Sequence, residues 1–265
     1  MGKLFKQIFK EDIKTVLPWM LSPLLVAVAG VLLYNLTNLL PVALIIFISI
    51  AIMSFAPLIS IATIAGNDNA RFYGKKAVFY SCLPVKPIEV TGARLINFIM
   101  IGLIIGIFSL FNTLFFGVTS DTNALDPLDI LKSIIKTMDI NILIILIKST
   151  IILILIYAIF ALEIMAANTL GSARPLNKIG KSAKGVLFAA MFLIQAYIYT
   201  KTIYILGNSN LVGFREYSKA IGTGYINMLD LNWSSFTLII IILAIFTALY
   251  FVITSYFHKE KISVQ

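Results

Sequence analysis

The chain has one cysteine and one histidine in 265 residues, and few charges of either sign. A lone Cys82 excludes an intrachain disulfide and a cysteine metal cluster. His258 falls after the last apolar run, and no H-E-x-x-H occurs. Zinc hydrolysis and Ser/His catalysis therefore lack their histidines. Charged residues make up 12% of the chain and hydrophobic residues 60%, with a mean hydropathy of +0.97. That composition lies outside the range of soluble domains. Polar connections reach about 25 residues at most, too short for an independent soluble domain.

What is present is apolar length. Runs at 16–36, 40–64, 88–118, 140–170, 186–206 and 233–257 each exceed or match the ~20 residues a helix needs to cross ~30 Å of hydrocarbon. Closed helices are the form lipid requires, since it offers no partner to a free backbone group. An outer-membrane barrel would need short alternating strands, which are missing. With both termini in the cytoplasm, the inner segments hold fifteen of the 21 Lys and Arg, the outer ones five, and Lys148 lies within a span. The 12 acids divide six and six, so only the basic residues discriminate, as the positive-inside rule requires. The net charge of +9 sits at the ends of apolar runs, where it meets anionic head groups. It is not gathered with aromatics into a nucleic-acid patch. The expected fold is an all-α integral membrane domain over 1–265 with six transmembrane helices, multi-pass in the cytoplasmic membrane.

Residues 2–14, GKLFKQIFKEDIK, place Leu4, Phe5, Ile8, Phe9 and Ile13 at helical spacing among lysines. This predicts a basic amphipathic helix over 1–15 in the inner head-group layer, leading into the first span. A cleavable signal peptide competes, through the A-x-A pattern of Ala27 and Ala29. The apolar run, however, continues past that pattern to Leu33. Gly102 and Gly106 are spaced for close helix packing, within the chain or at a dimer seam. Two outer connections are longer than turns need. Residues 120–139 place Ile130, Leu131, Ile134 and Ile135 on one face of an amphipathic surface helix. Residues 207–232 mix aromatics with glycines, which suits short helices dipping into the outer leaflet, with a plain interfacial loop as the alternative.

The most informative inner stretch is 67–97, NDNARFYGKKAVFYSCLPVKPIEVTGARLIN. Read as a helix, Phe72, Phe79 and Leu83 fall within an arc of ~40° at ~100° per residue, with Lys75 and Lys76 in the same half of the wheel. Pro84 ends that helix, and Pro87 suits the first turn of the next span, with Glu89 near its positive N-terminus. The result is a short helix, a rigid Leu-Pro-Val-Lys-Pro elbow and a new span, a geometry that passes a push on the helix to the span behind it.

This stretch resembles the cytoplasmic SLPVSR-type signature of type 2 ABC transporter permeases. Ser81, Leu83, Pro84, Val85 and Ile88 match, while Cys82 and Pro87 depart from the commoner residues. The resemblance extends to the six-span layout. It implies an N-terminal interfacial elbow helix, a cytoplasmic coupling helix within 65–87, and re-entrant helices within 207–232 before the sixth span, with a cytoplasmic tail at 258–265. It also implies that Phe72, Tyr73, Lys75, Lys76, Phe79, Leu83 and Pro84 dock a separate cytoplasmic ATPase that holds ATP and Mg. A second permease copy, identical or paralogous, would complete the path in a bacterial membrane.

Gly180-Lys181-Ser182 ends like a phosphate-binding loop, but the required earlier glycine is Pro175 and a span stands where a strand should precede. With Arg174, Lys178, Lys181 and Lys184 and no acid, this is a basic second cytoplasmic loop. The chain is expected to bind no cofactor and hydrolyse no ATP itself. Polar residues within spans are few. Gln195 and Tyr199 on span five and Glu163 on span four are the transport-path candidates, with Tyr197, Tyr199 and Tyr204 alternatively an aromatic belt. Lys148 and Glu163 stand fifteen residues apart on span four, about 22 Å at 1.5 Å per residue, so they cannot pair. Lys148 is expected to snorkel to the head groups, and Glu163 to pair with Arg174 or the N-terminal helix. The scarcity of charge favours an amphipathic or hydrophobic cargo, such as a peptide, antibiotic or lipid. In this reading the chain is an exporter permease. A non-transporting sensor or structural subunit is the alternative, and an intramembrane protease fits least, because Glu163 has no carboxylate partner in any span.

Overall fold

Leu4, Ile8, Asp12, Val16, Met20, Pro23, Ala27 and Gly30 recur at steps of three or four residues. In the computed structural model they form the buried stripe of one helix, α1 (Gly2–Thr37). The structure describes residues 2–37, 39–74, 76–82, 84–119, 139–173, 182–208, 214–221 and 224–262. The amphipathic stretch continues into the first span without a break, so the distinct elbow helix expected at 1–15 is here the first third of α1. The physical reason is the stripe itself, which buries Leu4 and Ile8 along with the residues of the span. Pro18 and Pro23 lie inside the helix. The Ser22 hydroxyl donates to the Pro18 carbonyl at 2.6 Å, a bond back to the preceding turn of the same helix.

Two compact units make up the chain, Met1–Pro127 and Leu128–Gln265. In the first, α2 (Leu40–Phe72) opens with Pro41 in its first turn and continues past residue 64 to Phe72. The polar residues Asn67, Asp68 and Arg71 extend the helix because each has a partner on α1 or α4. A tight crossing of α1 and α2 explains Gly30, where an added Cβ would lie 2.7 Å from the Ile46 side chain. After α2 comes a single-turn helix, α3 (Ala77–Ser81), and then α4 (Pro87–Thr119), which starts at proline as expected.

The second unit contains α5 (Ile140–Gly171), α6 (Ser182–Asn208), strands β1 (Phe214–Ile221) and β2 (Gly224–Leu231), and α7 (Trp233–Ile262). The Asp139 side chain accepts from the Ile140 N–H at 2.7 Å and caps α5. From Ala158 to Gly171 that helix is buried on nearly every side. Gly171 lets the start of α6 approach, since a Cβ there would lie 3.1 Å from the Lys184 Cα. Residues 214–231 are an antiparallel hairpin, pairing Phe214 with Leu231 and Ile221 with Gly224. The re-entrant helices expected within 207–232 are corrected to this pair. Two eight-residue runs, each with a Tyr and an Ile, are separated by Gly222-Thr223, a spacing that suits a hairpin.

Six of the helices, α1, α2, α4, α5, α6 and α7, are long and apolar enough to cross a membrane. The chain is a multi-pass membrane protein. The surface helix expected at 120–139 falls almost entirely outside the described residues, as do Lys75, Leu83, Arg174, Lys178 and Lys181.

Candidate functional site

The ends of α1, α2 and α4 meet in a network of charges that no local pattern announces. The Asp12 carboxylate, fully buried on α1, accepts from Arg71 Nη1 at 3.0 Å, Asn67 Nδ2 at 2.9 Å and Asn97 Nδ2 at 2.7 Å. Arg71 Nη2 donates to its other oxygen. Beside it, Arg94 of α4 grips Asp68 of α2 in a two-pronged pair, at 2.7 Å and 2.6 Å. The Arg94 guanidinium also lies 4.7 Å from the Phe72 ring centre and donates to the Tyr73 hydroxyl at 3.3 Å. Three spans are thereby clamped at one end.

This clamp holds α3. Glu11 accepts from Arg71 Nε at 3.1 Å, from the Tyr80 hydroxyl at 3.2 Å and from Lys76 Nζ at 3.3 Å. Burial and the nearby Glu11 carboxylate push the Tyr80 hydroxyl up to about 12, so it remains a donor at neutral pH. The Tyr80 ring packs 5.2 Å from that of Phe72, in an apolar cluster with Leu4, Ile8, Val90 and Ala93. With Tyr80 turned inward, Val78 and Phe79 face outward, 77% and 57% exposed.

The expected single helix from Phe72 to Leu83 is therefore corrected. Phe72 ends α2 and is buried, the chain turns between Tyr73 and Lys76, and α3 has five residues. The turn is held by backbone bonds from Tyr73 N to Asn69 O, Lys76 N to Ala70 O and Ala77 N to Gly74 O. Phe72 and Phe79 do not share a face. Of the expected docking residues, Lys76, Phe79 and Pro84 are exposed, Tyr73 is half-buried and Phe72 is structural. Val78, Tyr80, Glu11, Asp12, Asp68, Arg94 and Asn97 were not singled out by the sequence reading. The one available signal was a set of acids, amides and arginines embedded in apolar helices.

In the second unit, the three path candidates come together. Glu163 is buried on α5, and its Oε1 accepts from the Tyr250 hydroxyl of α7 at 3.3 Å. Arg174, one of the partners expected for Glu163, lies outside the described residues. On α6, Gln195 Nε2 donates to the Tyr199 hydroxyl at 3.1 Å, and Tyr199 reaches α7 through its ring contact with Phe246. Tyr197 and Tyr204 are exposed, as an aromatic belt requires, whereas Tyr199 packs edge-on to Phe246 at 5.1 Å.

Lys148 does not snorkel. It is buried, with Nζ donating to Asp230 Oδ1 at 2.9 Å and to the Leu231 carbonyl at 2.7 Å, and lies 4.4 Å from the Trp233 ring centre. The end of β2 supplies the carboxylate, so this lysine ties the hairpin to α5 and the start of α7. At Gly106 an added Cβ would meet no atom of the described residues within 4 Å, so close packing within the chain is not seen there; Gly102 is half-buried. Among the described residues, no group of acids, histidines and cysteines is arranged to hold a metal ion. Compared with protein-family models, curated proteins and solved structures, the chain matches none.

Proposed function

We propose that this chain is the membrane-spanning permease subunit of an ABC exporter, moving an amphipathic or hydrophobic cargo out of the cell. The observation that carries the proposal is α3. It stands between the second and third spans and turns Val78 and Phe79 outward, while Tyr80 and Glu11 tie it to a buried ionic clamp across α1, α2 and α4. A single-turn helix built only for anchorage has no need of this wiring. A force applied to the outward face is passed through charge-assisted bonds to three spans at once.

In this reading a cytoplasmic ATPase holds ATP and Mg, docks on Val78 and Phe79, and drives closure. Both termini lie in the cytoplasm, and a second copy, identical or paralogous, supplies the other half of the path. The exported molecule is either a peptide the cell secretes or a toxic peptide or drug from which it protects itself. Support for an amphipathic or apolar cargo comes from the scarcity of charge along the apolar runs. Mild-detergent purification of the tagged full chain from its own host tests the assignment. It is expected to bring down, in fixed ratio, a vanadate-sensitive ATPase. A chain that moves cargo while purifying with no nucleotide-hydrolysing companion contradicts it, and one with neither companion nor transport supports a sensor or structural subunit instead.

A further inference from the structure

A carboxylate within a membrane span normally has a cation, a metal or several donors beside it, because hydrocarbon solvates charge poorly. Glu163 is 1% exposed, and its partner is one tyrosine hydroxyl. Among the described residues, no lysine or arginine pairs with it; Lys148 of the same helix pairs with Asp230 instead. A second acceptor borders the same place. Gln195 gives its NH2 group to Tyr199, which leaves Oε1 buried with no donor. Tyr199, hydrogen-bonded to Gln195, packs on Phe246, which stands four residues before Tyr250, the partner of Glu163. The cluster thus presents two oxygen acceptors and two phenol rings, and among the described residues no lysine or arginine is bonded to it.

We infer that Glu163, Gln195, Tyr199 and Tyr250 form a binding site for the cationic head, a primary ammonium or guanidinium, of an amphipathic cargo. An ammonium carries three donors, enough to fill both the carboxylate and the Gln195 carbonyl, while the tyrosine faces stabilise its charge. A proton on Glu163 alone would remove the charge and leave the amide carbonyl empty. A divalent ion fits poorly, since one carboxylate, one amide and two phenols fall short of the several oxygen ligands that calcium or magnesium takes. The inference deepens the permease reading by naming the chemistry of the cargo, and it rests on that reading for the cargo's transport. Binding itself needs no ATPase.

The test is equilibrium binding of radiolabelled dodecylammonium to the full chain in phosphatidylcholine nanodiscs, with empty discs subtracted. Dodecanol is the neutral control and dodecyltrimethylammonium the cation without donors. Saturable binding of dodecylammonium is expected, weaker binding of the trimethyl cation, and no saturable binding of dodecanol. Glu163→Gln is expected to weaken dodecylammonium at least about tenfold and Gln195→Ala about threefold or more, the scale of a lost charge-assisted or neutral hydrogen bond. If Glu163→Gln does not fold, Tyr250→Phe and Gln195→Ala carry the test, each read against an unchanged melting temperature. Unaltered affinity in the folded variants, or saturable dodecanol binding, overturns the site. An ATPase that co-purifies with a chain binding no dodecylammonium also overturns the site and leaves the permease assignment standing. Specific binding by a chain whose purification from its own host brings down no ATPase supports the site and overturns the permease assignment.

Discussion

Replacing Phe79 with glutamate is expected to uncouple the assembled complex, abolishing cargo-stimulated ATP hydrolysis while the chain inserts and folds normally. Phe79 is mostly exposed and Tyr80 anchors α3, so the substitution removes only the contact of its ring with that of Tyr80 at 5.4 Å. Surface changes of this kind stay within about 0.5 kcal/mol of wild-type stability. At a docked interface the same side chain is worth about 1.5–3 kcal/mol of burial, or roughly 10- to 150-fold in affinity. The buried glutamate adds its own desolvation cost. Co-elution of the ATPase with the tagged variant, together with ATP hydrolysis by the purified complex, checks this. Unchanged coupling rejects the docking role of α3.

The largest loss of stability is expected from Asp12→Ala. The substitution leaves the buried Arg71 guanidinium without its main acceptor and takes the shared oxygens from Asn67 and Asn97. Breaking a buried pair from one side costs about 3–5 kcal/mol, because the surviving charge stays in a poor solvent. Thermal unfolding in detergent reads the loss. The double variant Asp12→Ala with Arg71→Ala is expected to be less damaged than the sum of the two single changes. A loss under about 1 kcal/mol, or strict additivity, would show that the clamp does not hold the helix ends together.

Helix existence was legible in the sequence because it rests on apolar length alone. The runs at 140–170 and 233–257 start at the same residues as α5 and α7 and end close to them. What joins the helices was not legible. Asp12 meets Arg71 across 59 positions and Asn97 across 85, and Lys148 meets Asp230 across 82. A linear pattern carries no record of such pairings. Lys148 looked like a snorkelling lysine because its acid lies on a strand that was read as helix. The hairpin was missed since its glycines suited a broken helix as well as a two-residue turn. Within 67–97, the prolines correctly located the end of α3 and the start of α4. The wheel failed there because it assumed an unbroken helix across Gly74, where the chain turns. Of the path candidates, Glu163, Tyr199 and Gln195 were found by polarity within spans, while Tyr250 went unnoticed among the aromatics of α7.

The single cysteine supplies the most direct measurement. Cys82 follows α3 and is exposed, so it reports which side of the membrane that helix occupies without any mutation. A membrane-impermeant maleimide is predicted to leave Cys82 unmodified in intact cells and to modify it in inside-out vesicles. Modification in intact cells would put α3 on the outer face, out of reach of any cytoplasmic ATPase, and would contradict the account.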